Sequence, residues 1–280
     1  MNTEIAIQGS YGSFHDIAAH LYFGHDATTI PCDTFKESVD WVRAHPQGFG
    51  AIAIENTIAG SLLQNHHLLK DSDLWIIGEH KLRIKQSLVA LPGQRIDDIG
   101  EVHSHYMALL QCADFLGQYP HLKLIETDDT AKSAYEIAQQ QQRGIAGICH
   151  ADSARKFGLQ ILAEGIETNK HNFTRFLMIA HKDNPAATRA HDLCNKSSIV
   201  FALPHEEGSL SKVLTILSFY NINLTKIQSL PIIGHEWEYQ FYIDLKFHNY
   251  TRYTQAIDAI RPLVSDIKIL GEYAEGEQTI

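Results

Sequence analysis

Apolar residues in this chain follow two rhythms that take turns. Short runs such as Glu4-Ile5-Ala6-Ile7, Gly50 to Ile54 and Gly144 to Cys149 are small and nearly continuous, the pattern of strands buried on both faces. Between them, apolar positions recur every three or four residues. Phe14, Ile17, Ala18 and Leu21 mark one helix face; Phe35, Val39 and Val42 a second; Ala131, Ala134, Tyr135 and Ala138 a third. Start signals precede these faces: Ser13 with Asp16 three residues on, Thr34 with Glu37, and Asp128-Asp129-Thr130. Ser104 reads as the N-cap of a further helix carrying Ala108, Leu109, Cys112, Ala113 and Leu116. The alternation predicts an α/β protein with strands buried on both faces.

The rhythm breaks once. From Trp75 to Leu91 the chain is strand-like, interrupted at Gly78, with no helix between its two halves. This predicts that the chain crosses there, near 78–84, from one lobe to another. A helix from Ala151 to Phe157, closed by Gly158, and a strand from Leu159 to Ala163 lead to a return crossing near 163–168. The stretch His171-Asn172-Phe173-Thr174-Arg175-Phe176-Leu177-Met178-Ile179-Ala180 then places a polar cluster directly before an apolar run. It presents polar groups at the mouth of a buried strand and closes the two-lobed body. Glu55-Asn56-Thr57 does the same at the end of the Gly50–Ile54 run, where open α/β sheets place their ligands.

A polar, proline-containing stretch from Lys182 to Thr188 has no periodicity and predicts a linker, 183–196, between a first domain at 1–182 and a second at 197–280. The second domain reads strand, helix, strand, strand, helix, strand. The strands are Ser197–Leu203, Asn223–Pro231, Glu236–Phe247 across a turn at Gly234, and Ile267–Tyr273. One helix carries Leu210, Val213, Leu214 and Leu217, and the other runs from Arg252 to Val264. That order is the ferredoxin-like plan.

Composition narrows the function classes. A net charge of -10 argues against a nucleic-acid partner, which calls for a basic stripe, and requires that any anionic ligand be held by a local device. With no apolar run near the roughly 20 residues of a membrane span and no basic leader before Ile5, the expectation is a cytoplasmic protein with no membrane partner. Cys32, Cys112, Cys149 and Cys194 have irregular spacing and read as free thiols. The 17 histidines include His66-His67 and His103-Ser104-His105, but no spaced set supplies a third and fourth ligand, so no metal site is expected. Gly9-x-x-Gly12 is not a dinucleotide fingerprint, and the milder reading is a helix N-terminus beside an anion site.

Taken together, certain residues carry a family resemblance. Asn172 followed by Thr174-Arg175-Phe176, Glu55-Asn56 after a strand, and Ser104-His105 with Gln111 two helical turns along resemble prephenate dehydratase; so does the opening Gln8-Gly9-x-x-Gly12-x-Phe14. The last unit, with Gly208-Ser209-Leu210 and Gln228-Ser229-Leu230-Pro231, resembles an ACT regulatory domain. The resemblance implies a catalytic domain of two lobes, like a type II periplasmic binding protein, with its site in the cleft. The sequence departs from the family at Ala53, where proline is common, at Ser209 and Ser211 in the helix motif, and at Gln228 and Leu230, where a charged pair is missing from the effector motif.

The implied reaction is the loss of carbon dioxide and hydroxide from prephenate to give phenylpyruvate, on the route to L-phenylalanine. Aromatisation drives it, so no cofactor is expected. Thr174 is the implied donor to the ring hydroxyl and Glu55, its acidity weakened by a dianion and burial, the rival proton source. Arg175 is expected to bind a substrate carboxylate, with Ser104 beside it; Asn56, Gln111 and Asn172 orient the substrate, and Phe176 packs the strand at the site. L-Phenylalanine is the implied effector, at Gly208, Ser209, Leu210, Asn223, Leu224 and Ser229, between paired domains of a homodimer or homotetramer. Two other readings stay open: an arogenate dehydratase, acting on the amino-acid analogue, and a non-catalytic amino-acid sensor.

Overall fold

The computed structural model describes residues 3–188, 193–232, 234 and 238–279. The first lobe contains β1 (Glu4–Gln8), α1 (Phe14–Phe23), β2 (Thr28–Cys32), α2 (Phe35–Ala44), β3 (Phe49–Asn56), β4 (Gly60–Ser61), α3 (Leu63–Asp71) and β5 (Leu74–Arg83). The second contains β6 (Ser87–Ala90), β7 (Glu101–His105), α4 (Tyr106–Gln111), α5 (Ala113–Leu116), β8 (Lys123–Thr127), α6 (Thr130–Gln139), β9 (Ile145–Cys149), α7 (Ala151–Lys156) and β10 (Gln160–Glu164). The chain then returns to the first lobe as β11 (Phe173–His181). The C-terminal unit has β12 (Lys196–Ala202), α8 (Ser209–Phe219), β13 (Asn223–Pro231), β14 (Tyr239–Lys246), α9 (Tyr250–Ile260) and β15 (Ser265–Tyr273), followed by β16 (Gln278–Thr279).

Three sheets result. The first-lobe sheet runs β16-β5-β11-β3-β1-β2, with β4 paired to β3; the second-lobe sheet runs β10-β6-β9-β7-β8. The C-terminal sheet runs β13-β14-β12-β15, the ferredoxin-like order, and is antiparallel throughout. Both lobe sheets mix parallel and antiparallel pairs, because the strands that cross between lobes enter against the βα direction.

Both crossings overlap the predicted stretches, near 78–84 and 163–168, and extend a few residues beyond them. β5 runs unbroken through Gly78 to Arg83, and the chain passes to the second lobe over Ile84–Gln86. Gly78 is an interior strand residue, present because the Tyr22 ring occupies the space where a Cβ would stand. The return spans Gly165 to Asn172, after β10 ends. β2 and α3 carry no strong periodicity and were not foreseen, nor was β16, which adds the chain's end to β5 in parallel. The expected start of β14 at Glu236 lies outside the described residues, as does the 189–192 part of the linker.

Both faces of the first-lobe sheet are covered. On one, Ile5, Ile7, Ala51, Ala53, Phe176 and Met178 pack under α1. On the other, Ile52, Ile54, Ile76, Leu177 and Ile179 join α2 and α3 and reach across to Val200, Leu230, Tyr242, Leu270 and Tyr273 of the C-terminal sheet. The two sheets therefore share one apolar core. Gly271 lets β15 close on the Ile76 backbone, where any side chain would collide. Among the described residues, no helix is long and apolar enough to cross a membrane.

Candidate active site

The lobes enclose a cavity of about 280 Å³, walled by the ends of β1, β3 and β11, the first turns of α1 and α6, the crossing segment and α4. The lobes touch around it. Ser10 Oγ donates to Asp129 Oδ1 at 3.0 Å, Ser153 Oγ donates to the Gly12 carbonyl at 2.5 Å, and Lys156 lies 3.6 Å from Asp16.

Thr174 lines this cavity from β11, 9% exposed. Opposite it in register is Asn56, at the end of β3. Asn56 Nδ2 donates to Thr174 Oγ1 at 3.0 Å, to Asn172 Oδ1 at 2.7 Å and to the Phe173 carbonyl at 3.2 Å, while its Oδ1 accepts from the Ile58 and Ala59 amides. Five hydrogen bonds fix this carboxamide. Because Thr174 Oγ1 accepts from Asn56, its own proton is left to donate elsewhere, toward the cavity it lines. The two asparagines and the threonine thus form a preorganised donor.

His15 lines the cavity from the first turn of α1. Its Nε2 accepts the Ala53 amide at 3.3 Å, which assigns the ring proton to Nδ1, and the ring packs edge-on against Phe176 at 4.9 Å. Burial drives its pKa down to about 4, so the imidazole is neutral. Phe176 lines the wall and is buried in the core under α1. Gln111 lines the wall from the last turn of α4, and its carbonyl accepts the Thr168 amide of the return segment. The N-cap of α4 is His105, whose Nδ1 accepts the Met107 amide, so His105 and not Ser104 faces the cavity.

Several expected site residues stand elsewhere. Arg175 follows Thr174 and so emerges on the opposite face of β11. There its Nε donates to Glu79 at 2.5 Å, its Nη1 to Asp244 and its Nη2 to Tyr273 Oη at 3.1 Å. Lys196 Nζ completes the cluster at 2.8 Å from Glu79. Burial alone pushes the pKa of Glu79 and Asp244 up, but Arg175 and Lys196 outweigh it for Glu79, and Arg175 with Ser198 for Asp244, holding both carboxyls below the usual range. Arg175 is buried on this face, away from the cavity, and ties the first lobe to the C-terminal sheet.

Glu55 pairs with Arg175 in register and shares its face; its partner is Lys226 of β13, at 3.1 Å. Lys226 also donates to Ser61 Oγ at 2.7 Å. Glu55 is therefore outside the cavity, away from where a proton source for the ring hydroxyl would stand. Ser104 is fully buried and donates to the Ile148 carbonyl at 3.0 Å, bracing β7 against β9. Asn172 is also fully buried, behind the cavity wall, and acts on Thr174 through Asn56.

The structure adds residues the sequence reading did not assign to the site: His15, Gln86, His105, Asp128 and Asp129. His105 had a sequence signal in the Ser104-His105 pair and Asp129 as a cap; Asp129 is indeed the N-cap of α6, accepting from Lys132 N at 2.7 Å. In the C-terminal unit, Gly208 caps α8 with φ 78°. Ser229 is at the same end of the sheet, in register with Phe241 and Phe201, whereas Asn223 is in register with Lys246 and Lys196 at the far end. Six residues of strand, about 20 Å, keep these two groups apart within one chain.

A family model described as prephenate dehydratase matches residues 5–184. The bifunctional chorismate mutase/prephenate dehydratase of Aquifex aeolicus is 34% identical over 273 residues, covering 96% of this chain and 73% of that protein. Arogenate dehydratase 5, chloroplastic, of Arabidopsis thaliana is 35% identical over 287 residues, covering 96% and 67%. Among solved structures, the prephenate dehydratase of Arthrobacter aurescens in complex with L-Phe superposes with a TM-score of 0.84 at 28% identity, covering 98% of this chain and 90% of that one. A quorum quenching acylase, GqqA, superposes with a TM-score of 0.87 at 27% identity, covering 97% and 98%. The cleft with its fixed threonine sits in the segment the family model matches, and the chain belongs to the prephenate dehydratase family of lyases.

Proposed function

We propose that this chain carries out the decarboxylating dehydration for which its family is named, on prephenate or on its amino-acid analogue arogenate. The observation that supports this is the Thr174 hydroxyl, held by Asn56 so that its proton is free at the cavity. In the reaction the bond to the ring carboxylate breaks and its electron pair forms the new ring double bond. The ring C–O bond breaks at the other end, and hydroxide departs with its pair. Thr174 Oγ1–H stabilises that departing oxygen, a charge that develops only in the transition state. A solvent proton completes the water. His15 and Phe176 wall the ring with apolar and neutral surface, and Gln111 contributes a polar amide.

An acylase needs a nucleophile within hydrogen-bond reach of a base. Thr174 Oγ1 is held by an amide instead, which favours the dehydratase reading. The test is incubation of the folded protein with prephenate and, in parallel, arogenate, watching for phenylpyruvate or phenylalanine. Turnover of neither overturns the proposal.

The C-terminal unit is read as an ACT domain that senses L-phenylalanine. Its edge strand β13 is exposed along one side, with free backbone groups for a second copy. Isologous antiparallel pairing there brings the Asn223–Leu224 end of one copy to the Ser229 and Gly208–Leu210 end of the other, joining the two groups one chain keeps apart. Leu230 is buried against the first lobe, so an effector signal at Ser229 is one residue from the shared core. Calorimetry with L-phenylalanine tests this, and absence of heat at millimolar ligand rejects it.

A further inference from the structure

The charge of the cavity does not match that of a dianion. Among the described residues, no lysine or arginine lines it; its ionisable groups are Asp128, Asp129, His15 and His105. Arg175, the cation expected there, is committed on the other face of β11. The sequence of this enzyme therefore places two carboxylates in a site whose family name promises a substrate with two carboxylates of its own.

Prephenate and arogenate share the ring carboxylate and ring hydroxyl. They differ at the side chain, which ends in a keto acid in prephenate and in an ammonium with a carboxylate in arogenate. The first carries one net negative charge at that end and the second none. Like charge in a closed, low-dielectric cleft penalises the keto acid, whereas an ammonium beside a carboxylate is favoured.

Asp129 has the geometry to receive it. Its Oδ1 accepts from Ser10 Oγ and from the Lys132 amide, which fixes the carboxylate across the lobe junction. Its Oδ2 accepts no hydrogen bond from the described residues and lies over the β1–α1 loop, 2.9 Å from where a Cβ on Gly9 would stand. A second, independent acceptor is Gln86. It lines the same cavity, 2% exposed, and its Oε1 has no hydrogen-bond partner among the described residues. A buried acceptor without a donor costs stability unless a ligand supplies one. An ammonium carries three N–H groups, and a keto acid carries none.

We propose that the dehydratase site prefers the amino-acid form of the substrate, with Asp129 as the acceptor for its ammonium and Gln86 as a further acceptor in the same wall. This rests on the dehydratase reading above and narrows it to one substrate class.

The test compares kcat/KM for arogenate and prephenate on the full chain, wild type and Asp129→Asn. Asparagine keeps the N-cap and the acceptor for Ser10 but removes the charge. The wild type is expected to favour arogenate by at least about tenfold, and Asp129→Asn to lower the arogenate-to-prephenate ratio by about ten- to a hundredfold, the worth of a charged hydrogen bond. The loss is expected mainly in KM, because the ammonium is remote from the bonds that break. Gln86→Leu lowers the same ratio while leaving Asp129 in place, and serves should Asp129→Asn not fold. A wild-type ratio at or below one, with prephenate turned over, overturns this inference alone. So does a folded Asp129→Asn that slows both substrates equally. Turnover of neither substrate overturns the dehydratase reading and the preference with it.

Discussion

Thr174 and Arg175 are neighbours on β11 and face opposite sides of the sheet. Thr174 Oγ1 stands at the interlobe cavity, held by Asn56 at 3.0 Å, while the Arg175 guanidinium is buried between Glu79 and Asp244 on the side of the C-terminal domain. The same alternation holds on β3, where Asn56 faces the cavity and Glu55 pairs with Lys226 of β13. Each strand thus has one residue at the site and its neighbour tied to the C-terminal sheet.

Thr174→Ala removes the hydroxyl that Asn56 holds at the cavity. Turnover is expected to fall at least about a hundredfold, roughly 3 kcal/mol in the transition state, with little change in KM. Steady-state kinetics of the folded variant checks this.

Asn56→Asp keeps an acceptor for the Ile58 and Ala59 amides but turns a donor into an acceptor facing Thr174, Asn172 and the Phe173 carbonyl. Turnover should drop by about tenfold or more, and stability by ~1–3 kcal/mol from the unpaired acceptors. Kinetics and denaturant melts read the two effects separately.

Arg175→Met leaves Glu79 and Asp244 buried with fewer positive partners. Stability should fall by about 3–5 kcal/mol, the cost of breaking a buried pair from one side. A raised KM without loss of stability would show instead that the guanidinium meets substrate.

Glu55→Gln removes one half of a partly exposed pair with Lys226. The effect on stability should stay within about 1 kcal/mol, and the acid limb of the pH–rate profile should not move. A shifted acid limb would return Glu55 to the reaction.

His15 and His66 are each brought from 6.5 to about 4, chiefly by burial. A base whose folded pKa is lowered binds protons more readily when unfolded. Its contribution is therefore present above 6.5 and is lost as the pH falls toward 4. Each is worth up to ~3 kcal/mol. Chemical denaturation between pH 7 and pH 4 should show stability falling through this window, and His15→Phe should flatten the slope.

The elements themselves were legible because they are local. Ser13, Thr34 and Asp129 cap the helices that follow them, as spacing and side-chain chemistry require. The ferredoxin-like order of the C-terminal unit follows from its element types and lengths, and Thr174 was identifiable as a polar residue at the mouth of a strand. α3 was not legible, since its apolar positions form no clean stripe. β16 was not, since two residues carry no period.

The direction in which site residues point was decided only by the tertiary structure. A strand with one wet face announces its orientation by alternating polar and apolar residues. β11 and β3 are covered on both faces, by α1 and by α2, α3 and the C-terminal sheet, so they read as continuous apolar runs. Nothing local tells Thr174 from Arg175, or Asn56 from Glu55, as the one at the cleft. That assignment came when the C-terminal sheet stacked on one face and brought Asp244 and Lys226 to Arg175 and Glu55. The sequence determined which residues stand at the strand ends; the packing of two sheets decided which of them face the cleft and which hold the domains together.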